Sequence, residues 1–210
     1  MELLASGRDA DVYAIDRDRV LRRYKGNRNS AGEKTIMARL HTLGFPVPRV
    51  YSARQRDLIM ERLYGPTMVE ALVSRDLEAE RAGEMLAELH KRLHKLPPPV
   101  PNKPDHRVLH LDLHPGNVII TSKGPVVIDW RNARTGEPGL DRAVTGVILA
   151  HVAAGDSILA APARDLLAAY REALGEPLSH VREAMAFRAA DAHLTEEERN
   201  ELSRAEALLV

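Results

Sequence analysis

The chain of 210 residues contains no cysteine, which excludes a disulfide-held scaffold and metal sites built from thiolates. Its 30 basic residues balance 30 acidic ones, so the formal net charge of +0 provides no overall field that would recruit nucleic acid. The longest apolar run, from Ala143 to Ala154, is shorter than a membrane span and contains His151. The N-terminus also lacks the basic and apolar regions of a signal peptide. We therefore expect a cytoplasmic protein with neither nucleic-acid nor membrane partners.

What is present is an ordinary globular composition, with 44% hydrophobic and 29% charged residues, in a chain long enough for two small lobes. Turn-forming residues separate the apolar segments of the first third and predict five extended pieces and one helix. The extended pieces are 3–5, 10–15, 19–24, 46–52 and 58–61, with the helix at about 30–43. We predict a β-rich N-terminal lobe over residues 1–62.

Gly65-Pro66 punctuates the chain after this part and predicts a linker. The remainder, residues 63–210, is predicted to be mainly helical. The expected helices run from about 76 to the proline-rich segment 97–104, and then over 139–155, 163–174, 178–192 and 195–208. Thr195 followed by Glu198 is a capping-box signal for the last of them.

The most informative segment runs from Val108 to Trp130 and carries four polar residues in a fixed order: His110, Asp112, Asn117 and Asp129. Two β-branched runs separated by the turn residues 122–125 predict an antiparallel hairpin. With a turn centred on residues 123–124, Val118 would face Asp129, which would bring Asn117 close to Asp129. Two carboxylates and an amide oxygen are ligands that suit Mg²⁺ together with substrate phosphates.

The sequence HLDLHPGN over residues 110–117, followed by VIDW over 127–130, resembles the aminoglycoside phosphotransferase/choline kinase family. Protein kinases carry H-R-D and D-F-G at the corresponding places. The resemblance extends over most of the chain, from about Leu3 to Ala154, and is strongest in this segment. It implies an α+β, bilobal, kinase-like fold. A five-stranded antiparallel sheet with one helix would be followed by a mainly helical C-terminal lobe that carries the catalytic hairpin.

The resemblance also implies roles for individual residues. Asp112 would be the catalytic residue that orients the acceptor hydroxyl, and Asn117 and Asp129 would bind Mg²⁺. His110 and Asp141 would support the catalytic loop rather than react. Residues that would contact ATP are Ser6 and Gly7 in the phosphate loop, Arg22, Glu33, and the backbone of Glu61 and Leu63 beside the adenine.

Arg22 is a departure from the family, which places a phosphate-contacting Lys on the third strand. Alternation along the strand puts Arg22 and Arg23 on opposite faces, and alignment with relatives that read V-L-K-L-F selects Arg22. Arg keeps the charge but is bulkier and forked, so the exchange is not neutral. Glu33 would be its ion-pair partner, although Ser30 to Glu33 also reads as a capping box.

Other interpretations of the same residues remain open. His110, Asp112 and His114 alternate as zinc ligands would on a strand, with His90 and His94 as further candidates. This interpretation leaves Pro115, Gly116 and Asp129 without a role. Asp141 could simply begin a helix. The acidic residues Glu196, Glu197, Glu198 and Glu201 could attract a polycation, but carboxylates favour helix starts without any ligand.

The leading prediction is an ATP- and Mg²⁺-dependent enzyme that transfers the γ-phosphate to a hydroxyl of a small molecule. The alternative is a nucleotide-binding pseudokinase, suggested by Arg22 and by a phosphate loop with a single glycine. A protein kinase is disfavoured, because the segment from Trp130 to Asp141 is too short for a long activation segment. The sequence identifies neither the acceptor nor the oligomeric state.

Overall fold

The computed structural model describes residues 1–26, 30–191 and 194–209. By packing, the chain divides into two compact units. The first comprises Met1–Gly65 together with Ile119–Ala133, and the second comprises Pro66–Val118 together with Arg134–Val210. The functional lobes expected over residues 1–62 and 63–210 stay a prediction.

The first unit contains a five-stranded sheet and one long helix. Its elements up to Gly65 are, in chain order, β1 (Glu2–Ser6), β2 (Ala10–Ala14), β3 (Arg19–Tyr24), α1 (Ala31–Thr42), β4 (Val50–Arg54) and β5 (Asp57–Glu61). The spatial order is β1-β2-β3-β5-β4, and every neighbouring pair is antiparallel. In this register Arg22 of β3 lies between Val12 of β2 and Leu58 of β5. Tyr24, Met37, Leu40 and Leu58 are among the residues that form the core of the unit.

The second unit is mainly helical. The elements that follow β5 in the chain are α2 (Met68–Val73), α3 (Ala79–Lys95), β6 (Arg107–Leu109), a 3₁₀ turn (Pro115–Asn117), β7 (Val118–Thr121), β8 (Gly124–Val127), a second 3₁₀ turn (Trp130–Asn132), β9 (Arg134–Gly136), α4 (Pro138–Ala154), α5 (Ala160–Leu174), α6 (Val181–Ala189), α7 (Glu196–Ala205) and a last 3₁₀ turn (Glu206–Leu208). Of these, β8, the second 3₁₀ turn and all of β7 except Val118 belong to the first unit. Within the second unit, β6 pairs with β9 in an antiparallel ribbon.

The fold class predicted from the sequence is confirmed as α+β, with a five-stranded antiparallel sheet and a helical part. The predicted capping box of the last helix is also confirmed, because the Thr195 hydroxyl and the Glu198 carboxylate each accept the other residue's backbone N–H. The helix α2 and the β6–β9 ribbon were not predicted. Both are very short and lack a clear apolar period.

The hairpin formed by β7 and β8 is present, but its turn lies one residue earlier than expected. β8 begins at Gly124, which has a positive φ of 111°, and the strand ends at Val127. The expected pairing of Val118 with Asp129 is therefore wrong, because Asp129 lies beyond the strand. Glycine accepts the positive φ without steric cost, which explains why the turn closes at Ser122 and Lys123.

Leu86, Leu89 and Leu93 of α3 are all buried and form its apolar face. Proline-rich sequence follows the helix and prevents its continuation. Within the described residues, none of the helices has the length and apolarity needed to cross a membrane.

Gly83 in α3 provides a test of helix packing, because a Cβ there would lie 2.6 Å from the Leu166 carbonyl oxygen and 2.8 Å from the Ala169 Cβ, both in α5. We expect Gly83→Ala to lower the free energy of unfolding by about 1–3 kcal/mol through overpacking. Urea denaturation followed by circular dichroism measures the loss. Gly32→Ala is the matched control, since a Cβ on Gly32 of α1 meets no atom within 4 Å. It should gain about 0.5–1 kcal/mol from helix propensity, and equal effects at the two positions would contradict the packing.

Candidate active site

The first unit places a buried carboxylate, that of Glu33, at the centre of a hydrogen-bond cluster. Its Oε1 accepts bonds from Nη1 of Arg22 and from the backbone N–H of Trp130, both at 3.2 Å. Its Oε2 accepts a bond from the hydroxyl of Tyr24. Ser30 instead donates its hydroxyl to the carbonyls of Gln55 and Asp57, so the capping box considered for Glu33 is absent.

Arg22 and Arg23 point to opposite sides of β3. The side chain of Arg22 is 8% exposed, and its Nη2 lies 2.6 Å from Oδ1 of Asp129. One guanidinium therefore joins Glu33 of α1 to Asp129, the predicted metal ligand. Arg23 is 41% exposed and forms a two-pronged ion pair with Asp57 across the sheet. The expected ion pair between Arg22 and Glu33 is thus present.

Burial and charge act together on this cluster. Burial raises the pKa of Glu33, and the nearby Arg22 opposes that shift. Burial also raises the pKa of Tyr24, and the Glu33 carboxylate adds to the increase, so the phenol stays a hydrogen-bond donor. Burial lowers the pKa of Arg22, but Asp129 and Glu33 outweigh it, and the net shift is upward.

Asp129 has a strained backbone. Its φ of 65° and ψ of 63° lie in the left-handed region, which non-glycine residues adopt at an energetic cost. The Trp130 N–H bond to Glu33 follows immediately, and the Trp130 indole donates to the Val127 carbonyl at 3.0 Å. These two hydrogen bonds fix Trp130, the residue after Asp129, and thereby maintain the strained backbone conformation of Asp129.

The predicted phosphate loop after β1 is held by several polar contacts. Ser6 donates its hydroxyl to Asp11 at 2.7 Å, and the backbone N–H of Gly7 donates to the Ala10 carbonyl at 2.9 Å. Lys25 donates to the Gly7 carbonyl at 2.7 Å. Asp9, also in this loop, forms an ion pair with Arg131. Lys25, which no sequence motif indicates, therefore contacts this loop.

Glu61 and Leu63 stand at the end of the sheet and after it. The backbone N–H of Glu61 donates to the Arg49 carbonyl at 2.8 Å, and its side chain accepts the Arg49 N–H. Leu63 follows the end of β5 and is half-buried. Their role beside the adenine stays a prediction.

The second unit has its own buried carboxylate, Asp141 at the start of α4. It accepts the backbone N–H of His110 at 3.0 Å and that of Leu111 at 2.7 Å. Nε2 of His94 lies 3.0 Å from Oδ2, and Nε2 of His90 lies 3.6 Å away. Burial would raise the pKa of Asp141, but His90 and His94 hold it well below its ordinary value. Leu111 has a positive φ of 60°, so the backbone of this loop is strained. The Asp141 carboxylate stabilises that conformation through its hydrogen bond to the Leu111 N–H.

Asp112 and Asn117 meet inside this loop. Nδ2 of Asn117 donates to the Asp112 carbonyl at 2.8 Å and lies 3.4 Å from its carboxylate. The His110 ring accepts the Asp112 N–H at 3.2 Å, while His114 accepts the Gly116 N–H at 3.1 Å. Asp112 is partly exposed, whereas His110 is fully buried. The support expected from His110 is thus geometrically feasible.

The zinc interpretation finds no counterpart in residues 1–26, 30–191 and 194–209, where no three His or acidic side chains converge as metal ligands. His90 instead contacts the Tyr170 hydroxyl at 2.7 Å, and His94 contacts Asp141.

Sequence reasoning did not select Tyr24 and Trp130, which belong to the Glu33 cluster, and it considered His90 and His94 only as zinc candidates. It also did not select Lys25 and Arg131, which contact the loop after β1. A signal for Tyr24 was available, since it lies two residues after Arg22 and therefore on the same face of β3. Trp130 acts through its backbone N–H, which leaves no side-chain signature.

Comparison with known proteins identifies a phosphotransferase of the kinase type. The model of the phosphotransferase enzyme family matches residues 1–107 and 69–180. The chain belongs to this family.

Solved structures share the fold at low sequence identity. A choline/ethanolamine kinase family protein from Mesorhizobium loti is 17% identical, with a TM-score of 0.60 over 99% of this chain and 87% of that chain. The ADP-bound aminoglycoside phosphotransferase APH(2'')-Ib is 15% identical, with a TM-score of 0.56 over 99% of this chain and 90% of that chain. The gentamicin complex of APH(2'')-IIa is 16% identical, with a TM-score of 0.58 over 99% and 89%.

A curated relative is the probable serine/threonine-protein kinase BUD32 homolog of Archaeoglobus fulgidus. It is 28% identical over 119 residues, which cover 57% of this chain. The aligned part spans 50% of that protein's length.

The Arg22 cluster provides the second prediction. We expect Arg22→Met to lower the free energy of unfolding of the first unit by about 3–5 kcal/mol, because it leaves the buried Glu33 carboxylate without its cation. Fluorescence of Trp130 reports this unit, since Trp130 is the chain's sole tryptophan.

Arg23→Met is the matched control on the same strand, and it should cost much less because exposed ion pairs contribute little. The double variant Arg22→Met/Glu33→Gln should recover part of the loss. Equal losses for Arg22→Met and Arg23→Met would contradict the role of the buried pair.

The third prediction concerns Asp141. Asp141→Ala leaves the loop N–H groups of His110 and Leu111 without their acceptor, and we expect a loss of about 3–5 kcal/mol in helix-reported unfolding. Because the pKa of Asp141 is depressed in the folded chain, its contribution is present above about pH 5 and declines at lower pH as the carboxylate is protonated. The difference between wild type and variant should shrink accordingly. The exposed Asp156, changed to Ala, should leave stability unaltered, and a similar loss there would refute the assignment.

Proposed function

We propose that this protein transfers the γ-phosphate of ATP to a hydroxyl group of a small molecule in a reaction that requires Mg²⁺. The observation that carries the proposal is the loop around Asp112. A fully buried carboxylate, Asp141, fastens its backbone, and the amide of Asn117 bonds back to Asp112. Preorganised groups of this kind accelerate transfer mainly by positioning and electrostatics.

Asp112 acts on the acceptor in this proposal. Its carboxylate is partly exposed while its backbone is fixed on both sides, so it can accept a hydrogen bond from a hydroxyl. The acceptor oxygen bonds to the γ-phosphorus as the bond to the β–γ bridging oxygen breaks and ADP leaves. The hydroxyl proton passes to Asp112.

Asn117 and Asp129 supply oxygen ligands of the type that Mg²⁺ takes. The bonds that Asn117 makes to Asp112 and His114 use its amide nitrogen, and its Oδ1 is the atom of the right chemistry for a hard cation. Asp129 contributes a partly exposed carboxylate on a strained backbone. When bound, Mg²⁺ neutralises charge on the nucleotide phosphates.

Arg22 takes the place of the family's phosphate-contacting lysine. Glu33 orients its guanidinium, and the Tyr24 hydroxyl and the Trp130 N–H in turn orient Glu33. Backbone groups of Ser6 and Gly7 cover the phosphates, and those of Glu61 and Leu63 contact the adenine.

A second candidate is a nucleotide-binding pseudokinase, and one observation favours it. Nη2 of Arg22 lies 2.6 Å from the Asp129 carboxylate, where a cation would bind. A metal would have to compete with this guanidinium. In this case the chain would bind a nucleotide without transferring phosphate.

The fourth prediction separates the two candidates. ATP consumption should be screened with aliphatic alcohols, aminoglycosides, choline, amino alcohols, sugars, nucleosides and a protein substrate. With an active acceptor, Asp112→Asn and Asp129→Asn should each reduce turnover by at least about a hundredfold. Elevated Mg²⁺ should partly restore Asp129→Asn but not Asp112→Asn, because only the former loses a metal ligand.

Asp105→Asn, an exposed residue before β6, serves as the control and should retain full turnover. Nucleotide binding by calorimetry with no transfer to any acceptor would favour the pseudokinase. Transfer that persists in both Asp112→Asn and Asp129→Asn would show that the residues are wrongly assigned.

A further inference from the structure

An apolar cavity lies beside the Asp112 loop within the second unit. Its volume is about 90 Å³, and α2, the 3₁₀ turn at Pro115, α4 and α5 form its walls. Of the described residues that line it, His114 alone has a polar side chain. Leu72 of α2, Ile148 of α4 and Ala163 of α5 represent the apolar walls.

His114 connects this cavity to the proposed reaction centre. Its ring lines the cavity, and its Nε2 lies 3.9 Å from Oδ1 of Asp112 and 3.2 Å from Nδ2 of Asn117. The cavity wall and the Asp112 carboxylate are therefore separated by one side chain.

The rim of the cavity is unusually apolar for exposed surface. Val152, which lines the cavity from α4, is 37% exposed. Apolar surface that remains exposed around a concave site is typical of ligand-binding sites.

We propose that this cavity binds an uncharged, apolar part of the phosphate acceptor, which makes the substrate a hydroxyl compound with a short alkyl group. The inference rests on the proposed function. A cavity of about 150 Å³ holds benzene, so the smaller space suits an alkyl chain of a few carbons. No carboxylate is among the described lining residues. An ammonium group placed there would lose its hydration without gaining a partner, which disfavours a polycationic aminosugar.

The first test is a series of primary alcohols from ethanol to hexanol. The value of kcat/KM should rise about fourfold for each added methylene until the cavity is filled, because each buried methylene contributes a constant increment. Butan-1-ol and 3-aminopropan-1-ol have the same number of heavy atoms, and the ammonium compound should be at least about tenfold poorer.

Ala163→Leu fills the cavity from α5 and should abolish the dependence on chain length. Ala168→Leu makes the same change at an exposed position of the same helix and should leave the dependence intact. Should Ala163→Leu fail to fold, Val152→Ala widens the cavity instead and should move the preferred chain length upward. A flat series in the active enzyme, or a series unchanged by Ala163→Leu, would overturn the inference.

Binding without turnover separates this inference from the proposed function. Saturation-transfer NMR with butan-1-ol in the absence of ATP should show binding to wild type and Ala168→Leu, and none to Ala163→Leu. If butanol binds in this pattern but no compound of the acceptor screen is phosphorylated, the proposed function fails while the binding site stands. If alcohols are phosphorylated but butanol binds equally to all three proteins, the cavity is not the acceptor site.

Discussion

A carboxylate removed from water has to be supplied with hydrogen-bond donors, and each unit of this protein is organised around one such group. In the first unit, Glu33 receives donors from β3 and from the backbone just after Asp129. In the second unit, Asp141 receives the N–H groups of His110 and Leu111, just before Asp112. The proposed chemistry depends on Asp129 and Asp112. A buried carboxylate therefore holds the backbone just after Asp129, and another holds the backbone just before Asp112. Both segments also contain a residue with positive φ, namely Asp129 and Leu111, and these bonds offset the strain.

The replacement of lysine by arginine changes what the β3 cation can do. An ammonium is a point charge, whereas a guanidinium presents two nitrogens in a rigid fork. Arg22 uses one nitrogen for Glu33 and the other for Asp129. It therefore links α1 to the segment after β8 without any ligand, and a nucleotide phosphate or a metal has to redistribute these contacts. Arg22 is therefore compatible with two functions. One is an enzyme whose site is assembled before the substrate binds, and the other is a nucleotide-binding module in which the guanidinium blocks the Asp129 carboxylate from binding a metal.

Much of the fold was predictable from the sequence because its signals are local. Turn residues between apolar segments predicted the five extended pieces of the sheet, and the proline-rich segment 97–104 predicted where α3 ends. Alternation along β3 correctly predicted that only one of Arg22 and Arg23 points inward. The hairpin register was not predictable in the same way, because Lys123-Gly124 and Ser122-Lys123 are both acceptable turn centres and only the positive φ of Gly124 decides between them. The helix α2 was missed because six residues give too short a pattern.

The residues of the candidate site also differ in whether local sequence signals predict them. Asp112, Asn117 and Asp129 belong to a contiguous motif, so a resemblance is sufficient to select them. Tyr24 and the Trp130 N–H could not be selected, since their importance arises from the distance to Glu33 and not from neighbours in the chain. The apolar cavity is the extreme case. Its walls come from α2, α4 and α5, and their residues read in sequence as ordinary helix core. Only when His114 is seen to lie against both the cavity and Asp112 does the packing of these helices become an argument about the substrate.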